Sequence, residues 1–218
     1  IGEPAIMGGY RLIPVSVFPC QYNRVTGEMK TNTSVEFELV YGSEGKNIVT
    51  NPDRNRPSQI SRLVESLVIN PPEIQQNHFE TEGSVIYIIG DTEEWDDIEE
   101  SLQPLLEWRR RIGWDAVVMR TNSDAAADIK TDIQEAYDTW DNPPEAVVLC
   151  GDTGGGFPLA FFDIRNRGRF IYETDHIFTQ LEGDDILPEI SIGRLPYRTL
   201  EMLDEMIAKI INYESNPF

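Results

Sequence analysis

The residues of this 218-residue chain best suited to chemistry are carboxylates placed after or between apolar runs. Gly90-Asp91 closes the run from Ser84, Gly151-Asp152 closes the run from Glu145, and Glu182-Gly183-Asp184-Asp185 with Glu189 falls between two later apolar segments. In an open α/β sheet the residues just beyond the strands' carboxyl ends gather function. A hard cation such as calcium takes roughly 6–8 oxygens from carboxylates and carbonyls, and glycine lets the chain turn around it. Residues 182–189 have that chemistry. A solvated acidic turn is the plainer alternative in a chain with 18 Lys+Arg, 38 Asp+Glu and a net charge of −20.

Other candidates are weaker. Gly154-Gly155-Gly156 could turn backbone amides toward an anion. However, no Lys-Ser/Thr follows, GxGxxG spacing is missing, and Phe157-Pro158 stands where a helix should begin, so a plain loop is expected. Cys20 and Cys150 are the only cysteines, too few for a disulfide framework or a Cys-rich zinc site. Cys150 ends an apolar run and reads as a small buried thiol. His78 and His176 are the only histidines and neither has a diagnostic context, so a Cys-His dyad within this chain is not expected. The acidity disfavours nucleic acid and anionic membrane surfaces as partners. No apolar run approaches the roughly 18 residues of a membrane span.

The elements that would position these residues change character near residue 82. Residues 10–17 and 33–41 are rich in β-branched and aromatic side chains and predict paired antiparallel strands around a turn at Asn23–Glu28. Residues 43–58 read as loop, and Ile60, Leu63, Val64 and Leu67 as a helix capped by Ser58. Residues 71–83 read as a linker. From residue 84 strands and helices alternate. Strands are expected at 84–90, 115–120 and 145–150, with helices carrying Leu102 to Trp108 and Ile129 to Trp140; Pro104 is placed near its helix's first turn. Short strands at 169–172, 176–181 and 189–193 follow, then a helix capped by Thr199. This order predicts βαβ units and a doubly wound, mostly parallel α/β sheet in residues 83–218, behind a small β-rich module in residues 1–82.

Several of these stretches together resemble the gingipain-type cysteine peptidases. They are Leu105-Leu106-Glu107-Trp108-Arg109 closing at Gly113-Trp114, Ala146 to Asp152, and Thr174-Asp175-His176 leading through Leu181-Glu182-Gly183-Asp184-Asp185 to Leu187-Pro188-Glu189-Ile190-Ser191-Ile192-Gly193-Arg194-Leu195-Pro196. Lys209 to Glu214 with Asn216-Pro217 fits the same pattern. Upstream, Gly9-Tyr10-Arg11, Pro14-Val15, Pro19 to Asn23 and Thr26-Gly27-Glu28 resemble the end of that family's β-rich pro-region.

The resemblance implies a caspase-like catalytic domain of two α/β subdomains, of which residues 83–218 would be the first. It implies a secreted or cell-surface endopeptidase acting on proteins or peptides. The family's catalytic His, in a Gly-His-Gly context, and its Cys belong to the second subdomain, as does the acidic residue of its specificity pocket. All three would lie beyond Phe218. The resemblance also implies a structural calcium ion held by Asp152, the Glu182 carbonyl, Asp185, the Leu187 carbonyl and Glu189. Ile1 without an initiator Met, and Phe218 just after a helical pattern, read as the ends of a piece of something longer. The expectation is thus a non-catalytic scaffold that partners the rest of the catalytic domain. The rivals are a surface or binding module with a peptidase-like fold and, more remotely, a receiver-like domain holding Mg²⁺ at Asp91 and Asp152.

Overall fold

Turn residues set the strand pairing of the first module locally. In the computed structural model, which describes residues 1–38, 40, 42, 45–50, 56–71, 83–90 and 92–216, Gly8 and Gly9 have φ of 55° and 76°. This left-handed pair joins β1 (Ala5–Met7) to β2 (Tyr10–Leu12), with Met7 opposite Tyr10. Asn23 Oδ1 accepts the Val25 and Thr26 amides at 2.9 and 3.3 Å and forms the turn between β3 (Cys20–Tyr22) and β4 (Met29–Thr31). The turn at 23–28 therefore matches expectation, but the long pairing of 10–17 with 33–41 does not form. Each strand pairs with its neighbour in sequence instead, Pro14 and Pro19 have no amide to extend a ladder, and the described residues of 33–41 carry no strand.

Helix α1 (Ser58–Leu67) buries Ile60 and Val64 against Met7, leaving Leu63 and Leu67 exposed. Ser58 is its first helical residue rather than its cap, and the Ser58 hydroxyl instead donates to Glu145 Oε2 at 2.9 Å. Most of the expected linker, residues 72–82, lies outside the described residues, as do His78 and Asp91.

The second module follows the expected alternation: β5 (Gly83–Ile89), α2 (Trp95–Arg111), β6 (Trp114–Arg120), α3 (Ala126–Thr139), β7 (Pro144–Cys150), a hairpin of β8 (Phe162–Asn166) and β9 (Arg169–Thr174), a 3₁₀ turn (His176–Thr179), β10 (Ser191–Leu195) and α4 (Leu200–Ser215). The sheet order is β10-β7-β5-β6, with every pair parallel. All seven residues of β5 are buried, as a strand covered on both faces requires. On one face Val85, Tyr87 and Ile89 pack with Leu102, Leu105, Leu106, Leu203 and Ile207 of α2 and α4. On the other, Ile86 and Ile88 pack with Ile129, Ile133 and Tyr137 of α3. The sheet is doubly wound.

Three details differ from expectation. Pro104 lies mid-helix, because α2 begins nine residues earlier at Trp95, where Asp96 and Asp97 suit the positive end of the helix dipole. Residues 176–179 form a 3₁₀ turn rather than a strand; Thr179 Oγ1 donates back to the His176 carbonyl at 2.7 Å. Strand β8 falls where no element had been expected. Thr199 does cap α4, accepting the Met202 amide at 3.2 Å. Arg109, in the last turn of α2 where a cation suits the helix dipole, also ties that helix to α4 through two bonds to Glu214, at 2.6 and 2.8 Å.

Leu102 is fully buried between α2 and the sheet. Leu102→Ala should lower the unfolding free energy by about 2–5 kcal/mol in a denaturant titration.

Candidate functional site

The parallel register decides which candidate residues can meet. Ser191 stands beside Ala146 and Leu195 beside Cys150. Glu189, two residues before Ser191, is therefore level with the start of β7, whereas Asp152 lies beyond its end. With about 3.3 Å per residue along a strand, the length of β7 alone puts roughly 20 Å between them. The five residues of the implied calcium shell thus divide. Glu182, Asp185, Leu187 and Glu189 share the loop at the amino edge of the sheet, and Asp152 sits alone at the carboxyl edge. The expectation that residues 182–189 mark a carboxyl end is corrected for the same reason: this loop enters β10 rather than leaving a strand.

At the carboxyl edge, Asp152 already faces a cation. Arg198 Nε donates to its Oδ2 at 2.7 Å and the Thr153 amide to its Oδ1 at 2.8 Å, and Arg198 holds the carboxyl below the usual carboxylate range. Beside it Arg194 uses every N–H it has. Nε and Nη2 grip Asp175 at 2.9 and 2.7 Å, Nη1 donates to the Gly151 and Leu159 carbonyls at 3.1 and 3.0 Å, and Nη2 also donates to Ala160 at 3.0 Å. One guanidinium thus joins the end of β7, the loop to β8 and the turn after β9. Residue types alone give Arg194 and Asp175 no role, although both stand in the gingipain-like stretch of residues 174–196. A lone cation inside an apolar strand, at Ile192-Gly193-Arg194-Leu195, was the available signal.

Cys150 is buried at the end of β7, and burial pushes its thiol up. His176, the histidine among the described residues, is engaged elsewhere: its Nε2–H donates to the Ile186 carbonyl at 2.7 Å.

At the amino edge, Glu189 is fully buried. Its Oε2 accepts the Leu181 amide at 2.7 Å, while Oε1 has no hydrogen-bond partner. Burial pushes the carboxyl up to about 7 and the neighbouring charges of Glu182 and Asp185 add to this, against the lowering effect of the Leu181 and Glu182 amides. Glu182 Oε1 accepts the Tyr137 hydroxyl at 2.8 Å. Lys130 of α3 acts on Glu189 electrostatically, but its own ammonium is disfavoured by burial. Gly183 has φ 75°, and a Cβ added there would stand only 2.9 Å from Asp185 Oδ2, so the loop needs glycine at this position. Among the described residues no three His, Cys, Asp or Glu side chains converge as a ready metal shell. What the loop offers is two carboxylates and backbone carbonyls, and an orphaned buried carboxylate oxygen is what a hard cation would satisfy.

The family model for peptidase family C25 matches residues 78–218, well over half of the sequence. The chain belongs to peptidase family C25. Among curated relatives, gingipain R2 of Porphyromonas gingivalis is 23% identical over 233 residues, covering 99% of this chain and 28% of the relative. Gingipain R1 of the same organism is 25% identical over 231 residues, covering 99% and 21%. This C25 chain therefore spans less than a third of the length of the relatives it matches. Among solved structures, that of the Arg-specific cysteine proteinase gingipain R superposes with a TM-score of 0.48 at 22% identity, over 62% of this chain and 29% of that one. The complex of Porphyromonas gingivalis RgpB pro- and mature domains gives 0.49 at 23% identity, over 60% and 29%.

Arg194→Met should lower the unfolding free energy by about 3 kcal/mol or more, because Asp175 and three carbonyls lose their donor in a half-buried site. Arg194→Lys should recover little of it, since an ammonium cannot reproduce the five-donor fork. Denaturant titration of the two variants checks both.

Proposed function

We propose that this chain is the supporting half of a C25 cysteine endopeptidase of the gingipain type, a scaffold whose parent hydrolyses peptide bonds with a His and a Cys located C-terminal to it. The family model over residues 78–218 carries this reading. In the parent, a thiolate activated by histidine would attack the peptide carbonyl and pass through an acyl-enzyme to hydrolysis. Here the sheet would form one wall of the cleft, with Arg194 fixing the loops at its carboxyl edge. The rest of the catalytic domain is the proposed partner, proteins or peptides are the parent's substrates, and a secreted or cell-surface setting follows the family. Residues 1–82 are assigned to the end of the pro-region and 83–218 to the first subdomain. Among the described residues no helix is long and apolar enough to cross a membrane.

The chemistry of the amino-edge loop favours one structural calcium ion. Asp185, Glu189 and the carbonyls of Glu182 and Leu187 would hold it, and Glu189 Oε1, buried without a hydrogen bond, supports this most directly. Asp152 is left out of the proposed shell. The ion would neutralise a buried acid and pin the entry to β10; no catalytic step is assigned to it.

Two outcomes are expected. An alkylating thiol probe at pH 8 should label Cys20, which is exposed, and spare Cys150 until the chain is denatured, with no peptide turnover; native labelling of Cys150 accompanied by turnover would overturn the scaffold reading. Calcium should raise the thermal midpoint of the wild-type chain, by linkage worth about 2.7 kcal/mol at a hundredfold excess over Kd. The same titration should leave Glu189→Gln unmoved.

A further inference from the structure

The amino-edge loop is claimed from two sides. Asp185 Oδ2 accepts the Ile6 amide at 2.8 Å and Asn47 Nδ2 at 3.1 Å, both from the N-terminal module. Asp185 Oδ1 accepts the Leu187 amide at 2.9 Å. Asn47 acts as a bridge: Nδ2 also donates to the Pro4 carbonyl at 2.7 Å, and Oδ1 accepts the Asp184 amide at 2.9 Å. Leu187 packs on the small core of Met7, Ile60 and Val64. The module thus docks on this loop through one carboxylate, one asparagine and one leucine, and two of those three lie among the residues that would surround the cation.

We propose that the N-terminal module and the cation compete for Asp185, so that the loop of residues 182–189 exchanges a module-docked arrangement for a cation-filled one. This rests on the calcium reading above and goes beyond it. A carboxylate offers about four acceptor positions. Three at Asp185 are taken by N–H groups, and the two on Oδ2 come from the module. An N–H directs the positive end of its dipole at the carboxylate, so a divalent cation drawing on Oδ2 meets like charge and must displace the donors. Losing them frees the Ile6 amide, and withdrawing Asn47 also releases Pro4 and Asp184. By linkage the effect is reciprocal: module docking weakens cation binding by the same factor as the cation weakens docking. Glu189, which touches none of the module's donors, supplies the cation's attraction in either arrangement.

The test uses the full chain with calcium alone as the probe. Asn47 has φ 52°, a conformation glycine adopts freely, so Asn47→Gly removes the bridge without backbone strain. Calorimetric titration should show Asn47→Gly binding calcium about ten times more tightly than the wild type, within the usual range of coupling between sites. In the wild-type chain, saturating calcium should speed hydrogen exchange of the Ile6 amide by a similar factor, a readout that does not depend on the variant folding. Calcium binding with unchanged or slowed Ile6 exchange, or with equal or weaker affinity in Asn47→Gly, overturns the competition and leaves the metal site standing. Absence of calcium binding by both chains overturns the competition and the metal reading together.

Discussion

An ionisable side chain stands near each end of strand β10, half-buried Arg194 within it and fully buried Glu189 just before it, and the need to satisfy the two organises both edges of the sheet. A buried charge is tolerated only when paired and hydrogen-bonded, and its unpaired cost runs to several kcal/mol. At the carboxyl end the debt is fully met: Arg194 finds Asp175 and three carbonyls, and in doing so fixes the path of the loop from β7 to β8 and the turn that follows β9. At the amino end it is met on one side only. Glu189 Oε2 has the Leu181 amide, while Oε1 is enclosed with Glu182 and Asp185 close enough to raise its proton affinity.

This asymmetry gives the two edges different work. Among the described residues of the carboxyl edge, the charges are paired: Asp152 is taken by Arg198 and Asp175 by Arg194. The amino edge is acidic and incompletely satisfied, and the N-terminal module lies against it through Ile6, Asn47 and Leu187. The module's attachment and the site's unmet charge meet at a single residue, Asp185. On the competition proposed above, a cation and a docked module would be alternative ways of quieting the same group of carboxylates.

The second module was largely legible in the sequence because its strands are continuous apolar runs and its helices carry regular stripes. Ser84–Ile89, Ala146–Cys150 and the Ile129–Ile133–Tyr137 face all stand where periodicity puts them. The first module was less so. Its strands are three residues long, below the reach of an alternation pattern, and its pairing follows from Gly8-Gly9 and Asn23–Gly27 rather than from the apolar segments. Candidate ligands were legible as types and partly as a group. The split between Asp152 and Glu189 was not, because only the register of β7 against β10 says that one follows a strand and the other precedes one. Asn47 was hidden for a related reason: it stands in a stretch that reads as loop, and its partners Pro4, Asp184 and Asp185 are remote in sequence.

The central claim is that the buried carboxylate at the entry to β10 is there to hold a cation. Anomalous diffraction from crystals of the chain grown in calcium tests it most directly. The account predicts a calcium peak at about 2.3–2.6 Å from Glu189 Oε1, with Asp185 and loop carbonyls around it and Asp152 still on Arg198. A map with no peak there, and Lys130 swung onto Glu189 as its direct partner, would contradict it.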